Sequence, residues 1–177
     1  MRLQKRIAVG TVGLFVLLMV VGFSIGCGGQ TQNDGQAQPA NTEQPASGLT
    51  ADEQSYLGEL ATDMSTMGEA LGGFSKLSTH YPFTQDETIE LAGYLATWRV
   101  THDKYHGAKA PSARLQKLHS LWHQALDQFN KASLLVADGL DNDNVGLINA
   151  ANKHMARGAT LSALVNKEIG RVVALDQ

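Results

Sequence analysis

The chain is short of cysteine, of aromatic rings and of net positive charge, and each shortage closes a class of function. One cysteine in 177 residues cannot build an internal disulfide framework. With no Cys-x-x-Cys pair there is no signature for haem attachment, an iron–sulfur cluster or a zinc ribbon. Aromatics make up 6% of the residues, too few for a platform that stacks bases or sugars. Lys and Arg number 14 against 17 Asp and Glu, a formal charge of −3, which argues against electrostatic binding to nucleic acid. Gly-x-Ser-x-Gly, His-Glu-x-x-His, a phosphate-binding loop and a dinucleotide fingerprint are all missing. The expectation is a non-enzymatic protein.

What is present begins with the N-terminal segment. Arg2, Lys5 and Arg6 form a basic region, and the run from Ile7 to Gly26 carries no charge. This order of parts is that of a secretory signal, although a run of 20 residues also approaches the length that spans a bilayer. The run ends in Ser24-Ile25-Gly26-Cys27. That tetrapeptide resembles the lipobox of bacterial lipoproteins, with Ser24 where Leu is usual. The resemblance implies cleavage between Gly26 and Cys27, and a thioether-linked diacylglycerol on Cys27. The alternative is an uncleaved transmembrane anchor with its basic end in the cytoplasm. Either way residues 27–177 sit at the extracytoplasmic face of the cell membrane, held by lipid on Cys27 in the first case. Cleavage takes three positive charges away and leaves 11 Lys and Arg against 17 Asp and Glu. An anionic leaflet would repel such a chain weakly, so lipid would do the anchoring.

Residues 28–48 contain no apolar side chain larger than Ala or Pro, so nothing there offsets the entropy of ordering. The expected organisation is a signal peptide over residues 1–26, a lipidated cysteine with a disordered tether over 27–48, and one domain over 49–177. A flexible tether of this length reaches about 25 Å.

From Leu49 onward the apolar period is helical and strand-like alternation is missing. Thr50-Ala-Asp-Glu53 and Thr84-Gln-Asp-Glu87 are capping-box sequences, each opening a helix. Leu57, Leu60, Met64, Met67, Leu71 and Phe74 make a first stripe, with Gly68 and Gly72 beside it as expected points of close helix approach. Leu91, Leu95, Trp98, His102 and Tyr105 make a second, ending near Gly107. Leu115, Leu118, Trp122, Leu126, Phe129, Ala132 and Val136 make a third, which Gly139 is expected to stop as a left-handed cap. Asp141 or Asn142 then caps a fourth helix carrying Val145, Ile148, Met155, Ala159, Val165, Ile169 and Val172, with Asn149, Asn152 and Asn166 near its apolar side. Three short connections imply an antiparallel, up-down four-helix bundle, with helices over about 50–78, 84–106, 112–138 and 141–175. The stretch from Pro111 through His119 to Gly139 resembles the corresponding part of small bacterial lipoproteins with a helical domain. That resemblance implies a fold and no activity.

The histidines are the one constellation with chemistry to weigh. His102 and His106 stand four apart with Asp103 between them, and His119 and His123 stand four apart further on. Four-residue spacing places two imidazoles on one helix face, as a metal ion requires of two ligands on one helix. With the hairpin turn placed near residue 109, His102 opposes residue 116 and lies within about one helical turn of His119. His102, His106 and His119, completed by Asp103 or His123, are therefore the candidate donors for zinc or copper. Against that, histidines beside Trp98 and Trp122 on an apolar stripe are ordinarily packed core residues with one nitrogen bonded to a neighbour. Asp141-Asn-Asp-Asn-Val-Gly146 starts like a calcium loop, but Val145 and Asn152 stand where acidic or polar ligands are needed. The leading expectation is thus a membrane-anchored binding or scaffolding module of the cell envelope, free of cofactors, whose partner is another envelope protein or a second copy of itself. Metal binding through the histidine pairs is the alternative.

Overall fold

A computed structural model describes residues 48–79 and 83–175. Gly26, Cys27 and the leader lie outside them, as does the tether through residue 47. The chain divides into two units, Met1–Thr42 and Glu43–Gln177, and the helices described below belong to the second. They are α1 (Ala51–Leu77), α2 (Gln85–Tyr105), α3 (Gln116–Asp141) and α4 (Val145–Ala174), with a single 3-10 turn at Ala113–Leu115 ahead of α3. The fold is all-α and no strand occurs among the described residues. None of the described helices is long and apolar enough to cross a membrane.

Local chemistry explains the first two helix starts. In each capping box the threonine hydroxyl accepts from the N–H three residues on, and the glutamate accepts from the threonine N–H: Thr50 with Glu53, and Thr84 with Glu87. These contacts satisfy donors that the first turn leaves without an intrahelical partner. Leu60, Met67 and Phe74 then recur at steps of seven on α1, and all are buried. Leu91, Trp98 and Tyr105 do the same for α2, with Leu95 buried between them. Helix α3 buries the widest face, from Leu118 through Trp122, Leu126 and Phe129 to Val136, and stands between α2 and α4.

Three details differ from the sequence reading. First, Gly139 does not cap α3. It lies buried within the last turn of the helix, where an added Cβ would fall 2.9 Å from Ile148 and 3.1 Å from the Asn144 carbonyl oxygen. The left-handed position passes to Asp143 at φ 49°, a short polar residue that tolerates it, and Asn144 rather than Asp141 or Asn142 caps α4. Second, α1 and α2 do not approach at Gly68 or Gly72, which meet nothing; the contact falls on Gly73, against which the Tyr94 ring packs. Third, Asn149, Asn152 and Asn166 are exposed, as is Val145. The buried face of α4 keeps the expected Met155, Val165 and Val172 and adds Ala151, Gly158 and Glu168, with Ala151, Gly158, Val165 and Val172 again at steps of seven.

Candidate functional site

The register between α2 and α3 decides which histidines meet. Trp98 packs with Phe129 and Tyr105 with Trp122, while His102 bonds Asp127. These pairs share a midpoint within the 3-10 turn at Ala113–Leu115, not near residue 109. Residues 107–112 and that turn lengthen the connection, so α3 is displaced along α2 by more than a helical turn. His102 therefore opposes Asp127 and His123, and His119 is carried away toward α1.

At its actual position His119 is a structural residue. Its Nδ1 lies 2.9 Å from the Tyr56 hydroxyl and its Nε2 lies 3.0 Å from the Ala108 carbonyl oxygen. A carbonyl can only accept, so Nε2 carries the hydrogen and Nδ1 accepts from Tyr56. Burial pushes the Tyr56 hydroxyl up to about 12, which keeps it a donor. Nearby, Glu53 uses its second carboxylate oxygen to accept from Ser112 at 2.5 Å. That hydrogen bond, with the one from the Thr50 N–H, holds its pKa below the ordinary 4.5. Asp63 accepts from both Lys104 and Tyr105 at 2.7 Å. Burial and that carboxylate together push the Tyr105 hydroxyl up. These polar contacts pin the 107–112 connection and the end of α2 to α1.

The other candidates gather on the outer side of the same end. His102, His106 and His123 form a triangle of rings with centroid separations of 5.4, 6.1 and 6.3 Å. His102 is buried; its Nδ1 lies 3.0 Å from Asp103 Oδ1 and its Nε2 lies 3.2 Å from Asp127 Oδ1. The other Asp127 oxygen is 3.6 Å from His123 Nδ1. Thus four of the five residues picked from the sequence stand together, His119 does not, and Asp127 joins them. Asp127 escaped notice although it stands four residues after His123, a spacing that puts both on one face of α3.

The geometry of this cluster carries an electrostatic imbalance. A neutral imidazole has one N–H, so His102 can donate to only one of the two carboxylates that face its nitrogens. A positive charge at the ring, or at one of its nitrogens, would satisfy both. The rings of His106 and its two neighbours lie nearly parallel, at 28° and 26°, so their nitrogens do not converge. In this arrangement no three His, Cys, Asp or Glu among the described residues are set to hold a metal ion.

Away from the histidines, the outer side of α2 bears Ile89 and Val100, 64% and 69% exposed, with Ala92 and Ala96 exposed between them. Ala92, Leu95, Ala96, Arg99 and Val100 line a shallow open groove toward Ala137 of α3. Arg99, one of the lining residues, donates to the Ser133 hydroxyl at 3.1 Å. His154, the remaining histidine among the described residues of α4, bonds Gln128 at 2.8 Å. Set against protein-family models, curated proteins and solved structures, the chain finds no match.

Proposed function

We propose that this protein is a lipid-anchored module of the cell envelope, tethered through Cys27 at the extracytoplasmic face of the membrane, and that its helical domain works by binding rather than by catalysis. The observation that carries the binding half is the strip Ile89-Ala92-Ala96-Val100 on the outer side of α2. It recurs at helical spacing, it is apolar, and it faces away from the core. An isolated exposed apolar residue is ordinary, whereas a row of them beside a groove is the kind of surface that a partner covers. The anchoring half is supported by Ser24-Ile25-Gly26-Cys27 at the end of an uncharged run, and by a following segment with nothing to bury.

Two measurements test it. Metabolic labelling with a fatty acid should mark the full chain and fail to mark Cys27→Ser, which should also leave the membrane fraction. A Cys27→Ser protein that stays in the membrane would replace the lipid anchor with a transmembrane one. For the binding half, a photo-crosslinking residue placed at Val100 in cells should give one discrete adduct, lost on Ile89→Asp, while the same probe at the exposed Lys153 gives none. Equal labelling at the two positions would remove the α2 strip from consideration.

A further inference from the structure

His102 and His123 each bring a nitrogen to Asp127 at close to the separation that two donors of one divalent ion require, and the His106 ring stacks beside them. Bonds of about 2.0–2.1 Å around a tetrahedral centre separate neighbouring donors by about 3.3 Å. His102 Nε2 and Asp127 Oδ1 are 3.2 Å apart, and His123 Nδ1 and Asp127 Oδ2 are 3.6 Å apart. Imidazoles bound to one such ion have centroids about 5.2 Å apart, against the 5.4 to 6.3 Å found here. The four side chains are therefore close enough to share one ion, with the two Asp127 contacts made through different carboxylate oxygens. What is missing is ring orientation: the His106 plane stacks on its neighbours instead of aiming a nitrogen between them.

We propose that this cluster takes up one zinc-type divalent ion, with His102 Nε2, His106, His123 and Asp127 as donors, by rotation of the His106 and His123 rings. His106 is exposed and the His123 side chain is 32% exposed, so both rings have room to turn. His102 needs no rotation. Its Nδ1 already faces Asp103 Oδ1, and a ligating histidine typically donates its second N–H to such a carboxylate. The ion takes the place of a proton between Nε2 and Asp127, and it resolves the mismatch of one ring facing two carboxylates. Asp103 thus positions His102 and does not touch the metal. This donor set differs from the spacing-based one by the loss of His119, whose nitrogens are both committed to Tyr56 and Ala108. It lies wholly within the helical domain and is independent of how the chain is anchored.

The test is zinc titration of the full chain, purified in detergent without an added histidine tag, followed by native mass spectrometry and calorimetry. One zinc ion per chain is expected at micromolar zinc, with a rise in Tm. His106→Ala/His123→Ala should lose that ion and keep the metal-free Tm, since neither ring is buried. His154→Ala should bind as the wild type does. Asp103→Asn should weaken binding by about 10- to 100-fold. No stoichiometric uptake, uptake unchanged in the double variant, or one ion shared between two chains would each overturn the proposal.

Discussion

On its α4 side, α3 carries Gly139 in line with Ala132 and Ala125, at steps of seven. On its α2 side it carries Trp122, His119, Asp127 and Ser133, each held by a ring contact or a hydrogen bond. The first seam is made from small residues and close approach: Phe129 lies over Gly158, where a Cβ would sit 2.7 Å from the ring, and Ile148 lies over Gly139. The second is made from large rings and polar atoms, and it needs hydrogen bonds to tolerate burial. The difference teaches where this bundle can change. A small-residue seam has one geometry, because backbone is nearly in contact with side chain and no rotamer can relieve an added atom. The ring-and-carboxylate side has side chains that can turn, and the histidine cluster lies there.

Substitutions can break or sharpen this contrast. The largest effect is expected at the residue that belongs to both sides. Phe129→Ala removes a fully buried ring that touches Trp98 and Gly158, and should cost about 3–5 kcal/mol in chemical denaturation. Gly158→Ala should destabilise by about 1–3 kcal/mol despite the better helix propensity of Ala, because the new methyl meets the Phe129 ring. A shorter residue at 129 should reduce that penalty in a double-mutant cycle. Glu53→Gln should cost about 0.5–2 kcal/mol through the weakened cap, with a further loss from the Ser112 contact. The opposite sign is expected at Gly68, which meets nothing and is exposed. There Ala should stabilise by about 0.5–1 kcal/mol, and destabilisation would mean that α1 has a close neighbour at that point.

Acid should act on the polar contacts and spare the seam. Hydrogen bonds from Ser112 and Thr50 depress the Glu53 pKa, and those from Arg171 and Lys117 depress that of Glu168, both below 4.5. Carboxylates depressed in this way contribute stability above their unfolded-state value, and that contribution is lost as pH falls through the depressed folded value. Tm should therefore drop more steeply below pH 4.5 in the wild type than in Glu53→Gln/Glu168→Gln. Parallel curves for the two proteins would show that these carboxylates do not govern acid stability.

Much of the fold was legible because helix starts and apolar stripes are local facts. Thr50 and Thr84 find their caps three residues away, and Trp98, His102 and Tyr105 share a face through the helical period alone. The candidate site was legible only in part, for a reason the same residues show. His102 and His106 are neighbours by spacing within α2, but which residues of α3 they meet depends on how far one helix slides along the other. A stripe repeating every three or four residues matches its partner almost equally well after a slide of one turn, so apolar periodicity leaves that register open. The 3-10 turn at Ala113–Leu115, with Glu53 holding Ser112 and His119 holding Ala108, settles it. Glycines show the same division. Their positions are in the sequence, but whether a glycine receives a neighbour from another helix, as Gly73 and Gly158 do, or faces open space, as Gly68 does, depends on chain twenty or more residues away along the backbone. By itself the sequence determined the four helices, the capping boxes that open α1 and α2 and the main buried stripes of α1 to α3, because those follow from contacts within a few residues. Only the tertiary structure decided that His119 belongs to the core and that Asp127 joins His102, His106 and His123, because those pairings follow from the lengths of the connections and from the packing that holds them.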